Sequence, residues 1–92
     1  MSDSTDLNQQ RMDKMKALLS ASLSPTELLI QDDSHLHAGH AGAQSGMGHF
    51  TLVIKSETFE GLLPLKRHQL VYQALGDMMK TDIHALAIKA SL

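Results

Sequence analysis

The order of apolar and polar positions divides the chain into alternating helical and extended segments. From Leu7 to Ala21, Leu7, Met12, Met15, Leu18 and Leu19 recur at helical intervals with Gln9, Gln10, Arg11, Asp13, Lys14 and Lys16 between them, which predicts an amphipathic helix. Thr5 or Asp6 can cap it, and Ser24-Pro25 stops it, because proline has no amide hydrogen to donate and disfavours helical geometry in the residue before it. The methionines of this helix are read as core filler. Thr26 to Asp32, apolar in its middle and closed by Asp33-Ser34, predicts a strand and a turn.

From His49 to Ser56 the pattern has period two: Phe50, Leu52 and Ile54 fall on one face, Thr51, Val53 and Lys55 on the other, as in a half-buried strand. Glu57 to Gly61 reads as a turn whose Phe59 plugs the core. With Pro64 at a first helical turn, Leu65 to Lys80 carries Leu70, Val71, Ala74, Leu75, Met78 and Met79 at helical spacing, interrupted by Gly76. His84 to Ala90 alternates again, with Leu86 and Ile88 inward. The expected architecture is a single α+β domain over residues 1–92, with helices on one face of a three-stranded sheet. Its first two strands form a wide hairpin, and its last strand returns by a helical crossover, which permits parallel pairing in a mixed sheet. Residues 1–6 are expected to be disordered.

The segment between the first two strands, residues 34–48, is too long for a tight hairpin and is expected to be a mobile loop. It holds His35, His37 and His40, with His49 just after it, and neutral imidazole is a common metal ligand. Capture of Zn²⁺ or Ni²⁺ by His35, His37 and His40 is therefore one reading. No nucleophile is organised near them apart from the carboxylates of Asp32 and Asp33, so an enzyme is not expected.

Composition narrows the chemistry further. The chain has no cysteine, which excludes a disulfide frame and any thiolate ligand of its own. Its net charge of −2 gives no general attraction for polyanions. An acidic, polar start and the lack of a long apolar run point to a cytoplasmic protein with no membrane association.

Four motifs in order carry a resemblance: Gly48-His49-Phe50 opening a strand, Phe59-Glu60-Gly61 in the turn, Arg67-His68-Gln69-Leu70-Val71-Tyr72 in the long helix, and His84-Ala85-Leu86 opening the last strand. Together they resemble the BolA family over nearly the whole chain, departing from it at Gln69, where most members have arginine. The resemblance implies a type II KH-like α-β-β-α-α-β fold. It also implies a non-enzymatic partner of a monothiol glutaredoxin, the heterodimer holding a 2Fe–2S cluster together with glutathione in iron–sulfur trafficking or iron and redox sensing. The family's loop ligand then falls on His37, and its second histidine is matched to His68, with His35 and His40 as less favoured loop ligands. His68 has Val71, Tyr72 and Leu75 at matching helical phase, at the boundary of the buried face, whereas His49 and His84 are read as structural or exposed. Since a 2Fe–2S cluster prefers thiolates, a chain without cysteine is expected to hold no cluster by itself. The alternative is a DNA-binding regulator of stress or morphology genes that contacts phosphates through Lys66, Arg67 and Lys80, with Lys55 and Lys89 nearby. A weak homodimer is a further assembly to consider.

Overall fold

The computed structural model describes residues 4–34 and 47–92. Helix α1 (Ser4–Leu23) is followed by strands β1 (Glu27–Asp32) and β2 (Gly48–Lys55), a one-turn 3-10 helix (Glu57–Phe59), helices α2 (Pro64–Leu75) and α3 (Met78–Thr81), and strand β3 (Ile83–Ser91). The expected α+β order with a mixed three-stranded sheet is present. β2 lies in the centre, antiparallel to β1 and parallel to β3.

The core explains why each element forms. On β2, Phe50, Leu52 and Ile54 are buried on the face that the helices cover, beside Ile30 of β1. Leu86, Ile88 and Ala90 of β3 pair with those three β2 residues in parallel register and pack against the same cluster. Helix α1 contributes Met15, Leu19 and Leu23, and the α2–α3 segment adds Val71, Leu75 and Met78. Phe59 is fully buried, as its place in the turn predicts.

The boundaries differ from the sequence expectation in instructive ways. α1 begins at Ser4, ahead of the Leu7 at which the apolar pattern starts. It ends at Leu23, and Ser24 takes a positive φ of 45° ahead of Pro25. The long second helix is in fact two, because Gly76 ends α2 with φ 56°, a left-handed value that favours glycine. Nothing lies within 4 Å of a Cβ built on Gly76, so its role is conformational and not close packing. Gly48 opens β2, and Ser34 accepts the His49 amide beside it. His35, His37 and His40 lie outside the described residues.

Hydrogen bonds pin the sheet at both ends, through side chains at one and backbone at the other. At the Lys55 end, the buried Ser56 hydroxyl donates to the Leu23 carbonyl at 2.6 Å and accepts from the Thr58 amide, joining the end of α1 to the end of β2. Arg67 donates from Nε to the Leu62 carbonyl (2.8 Å) and from Nη1 to the Ala90 carbonyl (3.1 Å), which ties the start of α2 to the end of β3. At the other end, the Gly48 amide donates to the Asp82 carbonyl and the Asp33 amide to the His49 carbonyl, each at 2.8 Å.

Candidate histidine site at the root of the loop

The β2–β3 register has one irregularity. Gly48 pairs with Ile83 and His49 with Ala85, leaving His84 as an extra residue in β3. Between the inward-facing Ile83 and Leu86, two consecutive residues, His84 and Ala85, are exposed. The His84 ring lies against that of His49, with centroids 5.0 Å apart and planes inclined at 52°. His49 occupies the face away from the helices yet is only 5% exposed, whereas His84 is open to solvent. A shallow open pocket beside the pair is lined by Asp33, His49, Ala85 and Ala87, together with Phe50 and Leu86.

Both loop stems meet at this end of the sheet. Asp33 Oδ1 accepts from Gln31 Nε2 at 2.8 Å, and Asp33 Oδ2 accepts a short hydrogen bond from the Thr51 hydroxyl. The Ser34 hydroxyl accepts from the His49 amide at 3.1 Å, closing the base of the loop. Behind it, Asp82 is held below the ordinary carboxylate range by the Thr81 hydroxyl and by the Arg11 guanidinium, against an opposing desolvation.

The remaining candidates lie elsewhere. His68 is one residue past Arg67, at the end of α2 pinned to Ala90, and Ala90 lies six residues along β3 from His84, roughly 20 Å at strand spacing. The structure therefore does not bring His68 to the loop stems; it brings His49 and His84 there. Helix phase gave His68 its face but not its end of the sheet. The signal for the other pair was present as two histidines each opening an extended run, but it needed the parallel pairing to become a site. Among the DNA candidates, Lys66 and Lys80 are exposed on different helices, and Arg67 is half-buried with two of its nitrogens on backbone carbonyls. Lys55 is paired with Glu27 at 3.2 Å.

Comparison with known proteins decides the family. A model described as "BolA-like protein" matches residues 19–91. The chain belongs to the BolA-like family. It is similar to "Protein BOLA1, chloroplastic" of Arabidopsis thaliana, with 42% identity over 83 residues, covering 87% of this chain and 52% of that protein. It is also similar to "DNA-binding transcriptional regulator BolA" of Vibrio cholerae, at 40% over 76 residues, 83% of this chain and 69% of that one. Among solved structures, the "BolA domain of SufE1 from Arabidopsis thaliana" superposes with a TM-score of 0.78 at 41% identity, covering 88% of this chain and 90% of that one. The chain spans about half the length of the first of these relatives.

The donor set of this BolA-like chain suits only part of a metal centre. Among the described residues no group of three or more His, Cys, Asp or Glu side chains could hold a metal ion, and the sequence has no thiolate. Of the two adjacent imidazoles, His49 is buried and His84 is open to solvent, so this pair offers one accessible nitrogen donor and would need further ligands from elsewhere to hold a metal or cluster. No described helix is long and apolar enough to cross a membrane.

Proposed function

We propose that this BolA-like protein is a non-enzymatic partner of a monothiol glutaredoxin and that it supplies imidazole ligands to a 2Fe–2S cluster carried between the two chains. The glutaredoxin cysteine and glutathione provide the thiolates that this chain lacks. The observation that carries the reading is the His49 and His84 ring pair at the root of the histidine loop, in a protein without cysteine. His84 is the solvent-facing member and so the one that a second protein can reach. It replaces His68 in this proposal, because His68 sits at the opposite end of the sheet. His37, three positions after Ser34 in sequence, is the loop ligand on the strength of the family resemblance, with His35 and His40 as its competitors.

What this chain contributes is orientation and exclusion. The bulge at His84 and the Ser34 bond to the His49 amide, whose ring His84 lies against, fix where the His84 imidazole is offered. The cluster, when bound, would be the cargo of iron–sulfur trafficking or the iron and redox sensor. The test is a substitution series in the mixed complex. His84→Ala is expected to change the visible circular dichroism of the bound cluster or to abolish binding, and His68→Ala to leave it as in the wild type. The reverse result would return the site to α2.

A second reading is favoured by one observation: the similar proteins of Vibrio cholerae and Haemophilus influenzae are named DNA-binding transcriptional regulators. If this chain binds duplex DNA, the exposed Lys66 and Lys80 are its free phosphate contacts, and Arg67 is already engaged. A mobility shift that weakens with salt and with Lys66→Ala/Lys80→Ala supports DNA binding through these residues. A shift indifferent to that double substitution excludes them as the contacts.

A further inference from the structure

The buried stripe of α1 continues, one and two turns before Met15, into two polar residues, Arg11 and Asn8, exposed by only 8% and 4%. Both precede residues 19–91, so the family match does not cover them. Arg11 Nε donates to Asp82 Oδ2 at 3.2 Å, and Arg11 Nη1 to Asn8 Oδ1 at 2.9 Å. Asn8 Nδ2 in turn donates to Asp32 Oδ2 (3.2 Å) and to the Ser34 hydroxyl (3.1 Å), and that hydroxyl accepts the His49 amide. The carbonyl of Asp82, two residues before His84, accepts the Gly48 amide at 2.8 Å. One hydrogen-bonded chain thus runs from α1 to the end of β1, the start of β2 and the start of β3, the three strand ends that frame the histidine pair.

Apolar side chains at positions 8 and 11 would extend the core at no desolvation cost, and a part-buried ion pair such as Arg11–Asp82 returns little net stability over such packing. Hydrogen-bonded polar groups add direction instead, fixing the relative placement of the segments they join. Gly48 shows how closely they are drawn together: a Cβ there would lie 3.2 Å from Asn8 Oδ1 and 2.4 Å from the Phe50 ring.

We propose that Asn8 and Arg11 are positioning residues for the histidine site, holding the strand ends so that His84, seated against the buried His49 ring, presents one fixed donor geometry to the shared cluster. This rests on the reading that His84 is a ligand. Groups that orient metal-binding histidines commonly change metal retention by about 10 to 100-fold when removed.

The experiment compares the wild type with Arg11→Met/Asp82→Asn, which removes both charges together, and with Ser34→Ala, which cuts the link to the His49 amide at a partly exposed site. Three quantities are read: melting temperature, the His49 and His84 ring resonances of the apo protein, and cluster release from the glutaredoxin complex to a chelator. Shifted or doubled ring resonances and release about tenfold faster are expected in both variants, the double variant also melting lower because the buried Asn8 Oδ1 loses its donor. Wild-type ring resonances and release in both variants would overturn the proposal. If the double variant does not fold, Ser34→Ala decides. If the wild type assembles no cluster complex, the proposed function fails, and the positioning role is still decided by the apo ring resonances.

Discussion

Gly48→Ala is a small change with a large expected consequence. A Cβ at this position would stand 2.4 Å from two carbons of the Phe50 ring, where ordinary contact begins at 3.4 Å, so the ring or the start of β2 must move by roughly 1 Å. Neither moves cheaply. Phe50 is 2% exposed within the core, and the Gly48 amide is committed to the Asp82 carbonyl. Overpacking of this kind costs about 1–3 kcal/mol. In a domain of this size each kcal/mol lowers the melting temperature by about 4–8 °C, so a fall of about 5–20 °C is expected by circular dichroism. Phe50→Leu removes the offending edge of the ring. The two substitutions together should therefore be less destabilising than their sum, by about 0.5 kcal/mol or more in urea titrations. Melting of Gly48→Ala within about 2 °C of the wild type, or strict additivity with Phe50→Leu, would mean that Gly48 and the Phe50 ring are not closely packed.

Further outcomes follow from the same contacts. Arg67→Ala should destabilise the fold by about 1–3 kcal/mol in urea, since it leaves the Leu62 and Ala90 carbonyls without their partner. Arg67→Lys should recover only part of that loss, because an ammonium cannot reproduce the planar fork. Asp82 is depressed in the folded state by Thr81 and Arg11, so its contribution is present above its unfolded value of about 3.8–3.9 and is lost as pH falls through the lower folded value. Acid titration should accordingly show the wild type losing more stability below about pH 4 than Asp82→Asn, and equal acid sensitivity of the two proteins would contradict the assignment.

The parts of the fold legible in the sequence are those fixed by local pattern. Alternation placed Phe50, Leu52 and Ile54 on the core face, Pro25 marked the end of α1, and the turn-borne Phe59 was read as core. Gly76 was visible, but periodicity continued across it through Leu75, Met78 and Met79, and a helix interrupted by a left-handed residue has the same apolar spacing as an unbroken one. Asn8 and Arg11 escaped notice for a different reason. Their burial is made tolerable by partners 24 to 71 residues away, and no window of sequence contains both. The candidate site shows the same limit. Motif order identified the family and a histidine loop, yet which histidine of the second half stands beside that loop depends on strand pairing. The bulge at His84 and the pin of Arg67 on Ala90 settle which of the two histidines lies at that end, with His84 there and His68 away from it.

In the proposed function this chain completes a cluster whose thiolates come from elsewhere. The direct measurement is anaerobic reconstitution of iron and sulfide with this protein alone, and with this protein plus a monothiol glutaredoxin and glutathione, each followed by native mass spectrometry and visible absorption. A colourless, metal-free chain is expected in the first case. In the second, a heterodimer is expected whose mass includes one 2Fe–2S unit. A stoichiometric cluster on the chain alone, or a glutaredoxin that keeps its cluster and never joins this protein, would contradict the proposed function.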